Sequence, residues 1–329
     1  MSRNPFAVVV GGVNIDIQGK CFLPFKAGDS NPGSLTVSPG GVGRNIAENL
    51  VRLGTRVELV SVLGDDDLSA TITESCESIG IGLKGMIRLS DSPASRYLCI
   101  LDSDGRLAGA VAAMDAMESL TPEALSRRAS LLDEAEMILI DANIPEASIE
   151  WLAARYPKGT KRPLLGFDPV SVAKAGRGRR SLGTFAFAKP NRAEAALLAS
   201  LPDSAPPVLA AALRQKGLGE AFVSLGAGGL LAEGPCVPGG RSTAPESWIA
   251  RPPGVPPPGF LAVNASGAGD AACAAIAWGI LGGYGLGERC ALAVAAAMLT
   301  SASQSPVNPA MDAALLLDAA KGIERERLS

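Results

Sequence analysis

Short apolar runs alternate with longer amphipathic segments along most of the chain, and each run closes on glycine or a polar residue. Phe6 to Val10 is the first run, followed by Gly11-Gly12 and then Asn14 and Asp16. An unbroken apolar stretch of this length fits a strand buried on both faces of a parallel sheet. Asn45 to Leu53 has helical periodicity and stops at Gly54; Val57 to Leu63 reads as a strand closed by Gly64-Asp65, and Asp67 to Ile79 as the next helix. Thr121-Pro122-Glu123 opens another helix with a capping residue, a proline at the first helical position and a carboxylate in the first turn. Further strands are predicted at Met137 to Asp141, Pro163 to Phe167, Thr184 to Ala188 and Ala221 to Leu225. Repeated strand and helix alternation implies an α/β fold with a doubly wound, mostly parallel sheet, and ligand sites at the carboxyl ends of its strands.

Two stretches depart from this rhythm. Gly19 to Val37 is broken by Gly28-Asp29-Ser30-Asn31-Pro32-Gly33, and Ser95 to Leu101 joins Leu107 to Ala112 through the turn Asp102-Ser103-Asp104-Gly105. Both read as strand pairs, so insertions at about 17–38 and 88–114 are expected to build one small sheet within a single domain spanning 1–329. Gly234 to Gly259, rich in proline and glycine, reads as a surface loop or edge segment with no assigned role. The uncharged stretch Ala271 to Gly287 lies between Asp270 and Glu288-Arg289, and its Ala and Gly content predicts a buried helix in preference to a membrane span.

Composition narrows the chemistry. The 329 residues are 47% apolar but only 4% aromatic, which suits helices packed closely onto a sheet. A formal charge of −3, without a basic block beyond Arg177 to Arg180, argues against nucleic acid as the main partner and for small molecules. The six cysteines show no C-x-x-C pair, which fits a reducing cytoplasm, and the N-terminus reads as a first strand, not a signal peptide. Histidine is absent, so any general base must be a carboxylate, Lys, Tyr or Cys.

The strongest chemical signal is Asn264-Ala265-Ser266-Gly267-Ala268-Gly269-Asp270, between the apolar Phe260 to Val263 and a long apolar helix. Its glycines let backbone amides converge at a helix N-terminus, where an anion is favoured, and Asp270 places a carboxylate beside that point. Taken alone, the same residues also describe a helix start with an acidic cap. A second glycine cluster, Gly40-Gly41-Val42-Gly43-Arg44-Asn45, opens a helix and projects Asn45 toward the sheet edge that carries Asn14 and Asp16. It lacks the third glycine of a dinucleotide fingerprint and comes too late in the chain for one.

Both segments resemble the two signature regions of the ribokinase (PfkB) family of carbohydrate and nucleoside kinases, in order and separation. Lys189-Pro190-Asn191-Arg192-Ala193-Glu194 is similar to the N-x-x-E motif of that family, and Ser224-Leu225-Gly226-Ala227-Gly228-Gly229 to its nucleotide-binding turn. Within the family, Gly28 to Gly33, Gly40 to Leu50, Ser95 to Leu98 and Asp168 to Lys174 are most similar to pseudouridine kinases. The resemblance implies an ATP- and magnesium-dependent transfer to the 5′-hydroxyl of pseudouridine, with another nucleoside or sugar (inosine, uridine, ribose) as the alternative acceptor.

On this resemblance Asp270 is the general base, and the amides of Gly267, Ala268 and Gly269 hold the transferring group. Asn14, Asp16, Gly40, Gly41 and Asn45 hold the ribose, while Ser30, Asn31, Arg96 and Lys174 are candidates for reading the base. Lys189, Asn191, Glu194, Ser224, Gly226 and Gly229 are assigned to the nucleotide, with Glu194 and Asp168 ordering magnesium directly or through water. Asn264 and Ser266 are candidates for a potassium site, although the family usually has Asp where Asn264 stands. The resemblance also implies that the small sheet acts as a lid and joins two subunits in a homodimer.

Overall fold

The computed structural model describes residues 5–159, 163–235, 245–254 and 266–328. Along Phe6–Val10, side chains alternate between two cores: Ala7 and Val9 enter one apolar cluster, Phe6, Val8 and Val10 the other. Met137 and Leu139 separate from Ile138 and Ile140 in the same way. A strand sends successive side chains to opposite faces, so both faces of the sheet are covered. Helices Val42–Arg52, Ala268–Leu281 and Leu286–Ser301 cover one face; Glu146–Arg155, Arg192–Ala199 and Pro206–Gln215 cover the other.

Among the described residues the main sheet has nine strands. Its order is Glu324–Arg327, Pro245–Arg251, Leu230–Pro235, Glu220–Ser224, Phe187–Ala188, Leu164–Asp168, Met137–Asp141, Phe6–Val10, Arg56–Val60. The pairs from Glu220–Ser224 to Arg56–Val60 are parallel and the remaining three are antiparallel. The parallel strands therefore end together, and Gly11, Asp141, Asp168 and Lys189 emerge along one edge. Ala268–Leu281, apolar all round, is buried as a core helix. No helix among the described residues is long and apolar enough to cross a membrane.

The two insertions form one four-stranded sheet in the order Gly33–Gly40, Asn14–Cys21, Arg96–Leu101, Leu107–Ala113. Asn14–Cys21 runs parallel to Arg96–Leu101, and the outer pairs are antiparallel.

Two expectations change. The strand expected over Thr184 to Ala188 shrinks to Phe187–Ala188, with a tight helical turn at Leu182–Thr184 before it. The Thr184 and Phe185 amides donate back to the Ser181 and Leu182 carbonyls within that turn, so the strand begins only at Phe187. Of the proline-rich stretch Gly234 to Gly259, the described Pro245–Arg251 is a strand paired on one side with Leu230–Pro235 and on the other with Glu324–Arg327, so that part is neither a loop nor the edge. Trp248 anchors it against Gly287, where a Cβ would lie 2.7 Å from the indole. Residues 236–244 and 255–259, and the strand expected at Phe260 to Val263, lie outside the described residues.

Candidate active site

Asp141 and Asp168 end neighbouring strands and are direct partners in register. Asp141 is fully buried; its Oδ2 accepts the Gly12 amide at 2.7 Å and its Oδ1 the Asn143 amide at 2.8 Å. Burial, and to a lesser degree the charge of Asp168, raises the Asp141 carboxyl to about 6 against those hydrogen bonds. Asp168 Oδ1 accepts the Val170 amide at 2.8 Å. That turn holds Val170 at φ 65, a strained conformation for a β-branched residue, and it leaves Oδ2 facing the buried Lys189 ammonium at 3.4 Å. Burial opposes the Lys189 charge, but the carboxylates around it, Asp168 first and then Glu194 and Asp270, hold its pKa above the usual lysine value.

Asp270 sits on the first turn of Ala268–Leu281, opposite these strand ends. Its Oδ2 accepts Nδ2 of Asn45 at 2.9 Å, joining the two glycine signatures across 225 residues of sequence. The joint depends on close backbone packing: a Cβ on Gly43 would lie 2.9 Å from the Gly11 Cα. Gly267 adopts φ 76 as the N-cap, and any Cβ there would collide with the Pro306 carbonyl, so only glycine fits that turn. As the N-cap, Gly267 has no side chain to cap the helix, which favours a ligand at its first amides. Burial first, then the charge of Asp168, raises the Asp270 carboxyl to about 7; the Asn45 hydrogen bond and Lys189 oppose the rise.

Asn14 and Asp16 lie at the Gly40–Gly41 start of the helix whose Asn45 reaches this carboxylate. Asn14 Nδ2 donates to Asp16 Oδ1 at 2.6 Å, and Gly40 lies so near that a Cβ would strike the Asp16 carboxylate. Gly41, at φ 100, begins the Asn45 helix. The base-reading candidates fare differently. Asp16 is in register with Tyr97, and Arg96 with Ile15, so alternation puts Tyr97 on the face of Asp16 and Arg96 on the opposite one. Arg96 is instead paired with Asp66 at 2.7 Å. Ser30 and Asn31 lie beyond the end of the Cys21–Gly33 register, roughly 17 Å along the strand from Asp16 at 3.3 Å per residue. The Asn31 carboxamide is tied into its own loop through Lys26 and Asp29. Lys174 donates to Asn143 Oδ1 at 2.6 Å, and Asn143 in turn packs on Gly12, beside the start of Asn14–Cys21. Asp141, Asn143 and Tyr97 are thus site residues that sequence reasoning missed.

On the other side of Lys189, Asn191 and Glu194 form a reciprocal cap for Arg192–Ala199. Asn191 Oδ1 accepts the Glu194 amide at 2.9 Å, while the Glu194 oxygens accept the Asn191 amide at 2.9 Å and its Nδ2 at 2.8 Å. A cavity of about 500 Å³ opens next to them, lined by Asn191, Arg192, Ala193, Pro206, Ser224, Leu225 and Gly226. Gly229 closes the turn below it, with φ 96. At the Asp168 end the donor set offers magnesium Oδ2, which is buried, faces the Lys189 ammonium and takes no hydrogen bond among the described residues. Glu194 already uses one lone pair on each oxygen, which suits contact through water. Asn264 lies outside the described residues, and Ser266, the other candidate cation ligand, is exposed.

A sequence model of the pfkB family of carbohydrate kinases matches residues 4–313. The chain is 30% identical over 316 residues to an uncharacterized sugar kinase, YeiI, of Escherichia coli, covering 95% of this chain and 83% of that protein. It is also 30% identical over 283 residues to the pseudouridine kinase of the same organism, covering 84% of each. A structure of Arabidopsis thaliana ribokinase complexed with ribose and ATP superposes over 97% of this chain and 99% of that one, with a TM-score of 0.80 at 22% identity. The fold is therefore ribokinase-like, and this chain belongs to the pfkB family of carbohydrate kinases. It is a phosphotransferase of the sugar and nucleoside kinase class.

Proposed function

We propose that the protein transfers the γ-phosphoryl group of ATP to the 5′-hydroxyl of pseudouridine, with Asp270 as general base. The observation that carries this reading is the position of Asp270. Its carboxylate stands beside an uncapped helix N-terminus, is held by Asn45, and faces the Lys189–Asp168 pair. A carboxyl raised to about 7 is matched to taking a hydroxyl proton near neutral pH.

In this reading Asp16, Asn14 and Asn45 bind ribose hydroxyls and aim the 5′-oxygen at Asp270. Tyr97 shares the Asp16 face and supplies an aromatic wall suited to a planar base, while Lys174 and Asn143 offer polar atoms to its edge. These features favour a nucleoside over a bare sugar. The cavity at Ser224 and Gly226 takes the nucleotide, whose phosphates run past Asn191 toward Lys189. Asp168, and Glu194 directly or through water, would hold magnesium, which would supply charge neutralisation for the phosphates. The Gly267, Ala268 and Gly269 amides stabilise charge on the transferring group, each such donor contributing roughly 3 kcal/mol.

The small sheet sits against the acceptor site as a lid. Val37, Ile17, Leu98 and Val111 align across its four strands on the face opposite Asp16. With Leu35 they form an apolar surface: Leu35 is 78% and Val111 64% exposed. Such a patch asks for cover, and a second copy supplying the same patch makes a homodimer.

The test is phosphate transfer from ATP with magnesium to pseudouridine, uridine, inosine, ribose and fructose. Pseudouridine is expected to give the highest kcat/KM. If another acceptor is preferred and pseudouridine is inert, the substrate assignment fails while the kinase class stands.

A further inference from the structure

An asparagine side chain can face a carboxylate with its NH2 or with its oxygen, and only the first is attractive. In this protein Asn45 turns its Nδ2 to Asp270 at 2.9 Å. On the other side of that amide, Arg44 Nη1 lies 3.5 Å from Asn45 Oδ1. The guanidinium is buried and fixed at two further points, by Glu48 Oε2 at 3.0 Å and by Ser75 Oγ at 3.0 Å. Glu48 is not reserved for Arg44: its other oxygen accepts Nε and Nη2 of Arg52 at 2.9 and 2.7 Å. Two guanidiniums thus share one carboxylate, and a net positive charge is left below the acceptor pocket. That charge also reaches Asp16, where it opposes the rise that burial imposes.

We propose that Arg44 is a positioning residue for phosphoryl transfer: its buried guanidinium holds the oxygen of the Asn45 carboxamide, so that the amide NH2 faces Asp270 and one carboxylate oxygen stays free for the incoming proton. A purely structural role explains the arrangement poorly. Among the described residues Arg44 Nε is buried without a hydrogen-bond partner, and a buried ion pair is commonly replaceable as a whole by apolar residues at no loss of stability. Its geometry instead serves the two sides of the acceptor pocket at once, with the planar fork meeting Glu48, Ser75 and Asn45 together. Lysine keeps the charge and three donors on one nitrogen but lacks the rigid planar fork that spans Glu48, Ser75 and Asn45. The inference rests on Asp270 as the base.

The test is a double-mutant cycle with Arg44→Lys and Asn45→Ala, using ATP, magnesium and the most active acceptor of the panel above. Arg44→Lys is expected to lower kcat about tenfold, as a small misplacement of a reacting group does, with KM for ATP unchanged. In the Asn45→Ala background the same change is expected to cost less than about twofold, because the contact it acts through is gone. An equal loss in both backgrounds, or full kcat in Arg44→Lys, overturns the proposal. Should Arg44→Lys fail to fold, Ser75→Ala decides: it removes one anchor of the guanidinium without touching the Glu48 pair. Its kcat is expected to fall about threefold in the wild-type background and to stay level in Asn45→Ala. Asp270→Asn is assayed alongside; if it retains turnover, the base assignment fails independently of the coupling between Arg44 and Asn45.

Discussion

Replacing Asp270 with asparagine separates the stability cost of a buried charge from its catalytic use. Burial, the charge of Asp168 and, more weakly, that of Asp141 lift the Asp270 carboxyl from its usual 3.8 to about 7; Asn45 and Lys189 pull the other way. A change of that size is worth about 4 kcal/mol at full burial. Partial exposure to solvent reduces the figure to about 2–3 kcal/mol. Below about pH 4 the carboxyl is neutral in folded and unfolded chains alike, so its stabilising preference for the protonated form is fully present. As pH rises through about 7 that preference is lost, and above it the folded chain carries the whole cost of the charge. Asp270→Asn keeps a similar shape without the charge. It is expected to exceed the wild type in stability by about 2–3 kcal/mol at pH 8.5 and by clearly less at pH 5, measured by urea unfolding. Turnover should fall by about 10² to 10⁴ with substrate binding retained. Wild-type kcat/KM should rise with pH and level off above about 7. Near-normal turnover in the variant, or a stability gap that does not widen with pH, would refute the reasoning.

Other perturbations address the neighbouring parts. Lys189→Met removes a charge that lowers the Asp270 pKa, so the acidic limb of the pH–rate profile should move to higher pH, with kcat down by about 10² if the ammonium also meets the phosphates. Gly40→Ala places a Cβ against the Asp16 carboxylate; KM for the acceptor should rise at least about tenfold while KM for ATP holds, as steady-state kinetics will show. Leu35→Asp combined with Val111→Asp puts charges on the exposed face of the small sheet; if that face joins two subunits as proposed, sedimentation should report a dimer for the wild type and a monomer for the variant.

The apolar runs were enough to determine a parallel, doubly wound sheet, because a strand covered on both faces has no alternative to continuous burial. The glycine turn with Asp270, the Gly40–Asn45 helix start and the strand-end Asp16 were equally legible: each needs a residue type that local backbone geometry or chemistry demands. The tertiary structure alone decided which of these meet. The Asn45–Asp270 hydrogen bond exists because Gly43 lets one helix approach Gly11 while the buried Ala268–Leu281 helix packs beside it, and sequence proximity carries no trace of that contact. Register decided between adjacent residues in the small sheet, placing Tyr97 beside Asp16 and sending Arg96 to Asp66. Asp141 reads in sequence only as the end of a strand, and folding brings it and Asn143 against Gly12. The Asn191–Glu194 spacing has a double meaning that only coordinates expose, since the pair caps its own helix at the mouth of the nucleotide cavity. Local propensity can be read along the chain, whereas the Asp270 pKa is set by burial, by Asp168 and Asp141 raising it and by Asn45 and Lys189 lowering it, groups far apart in sequence that folding alone brings together.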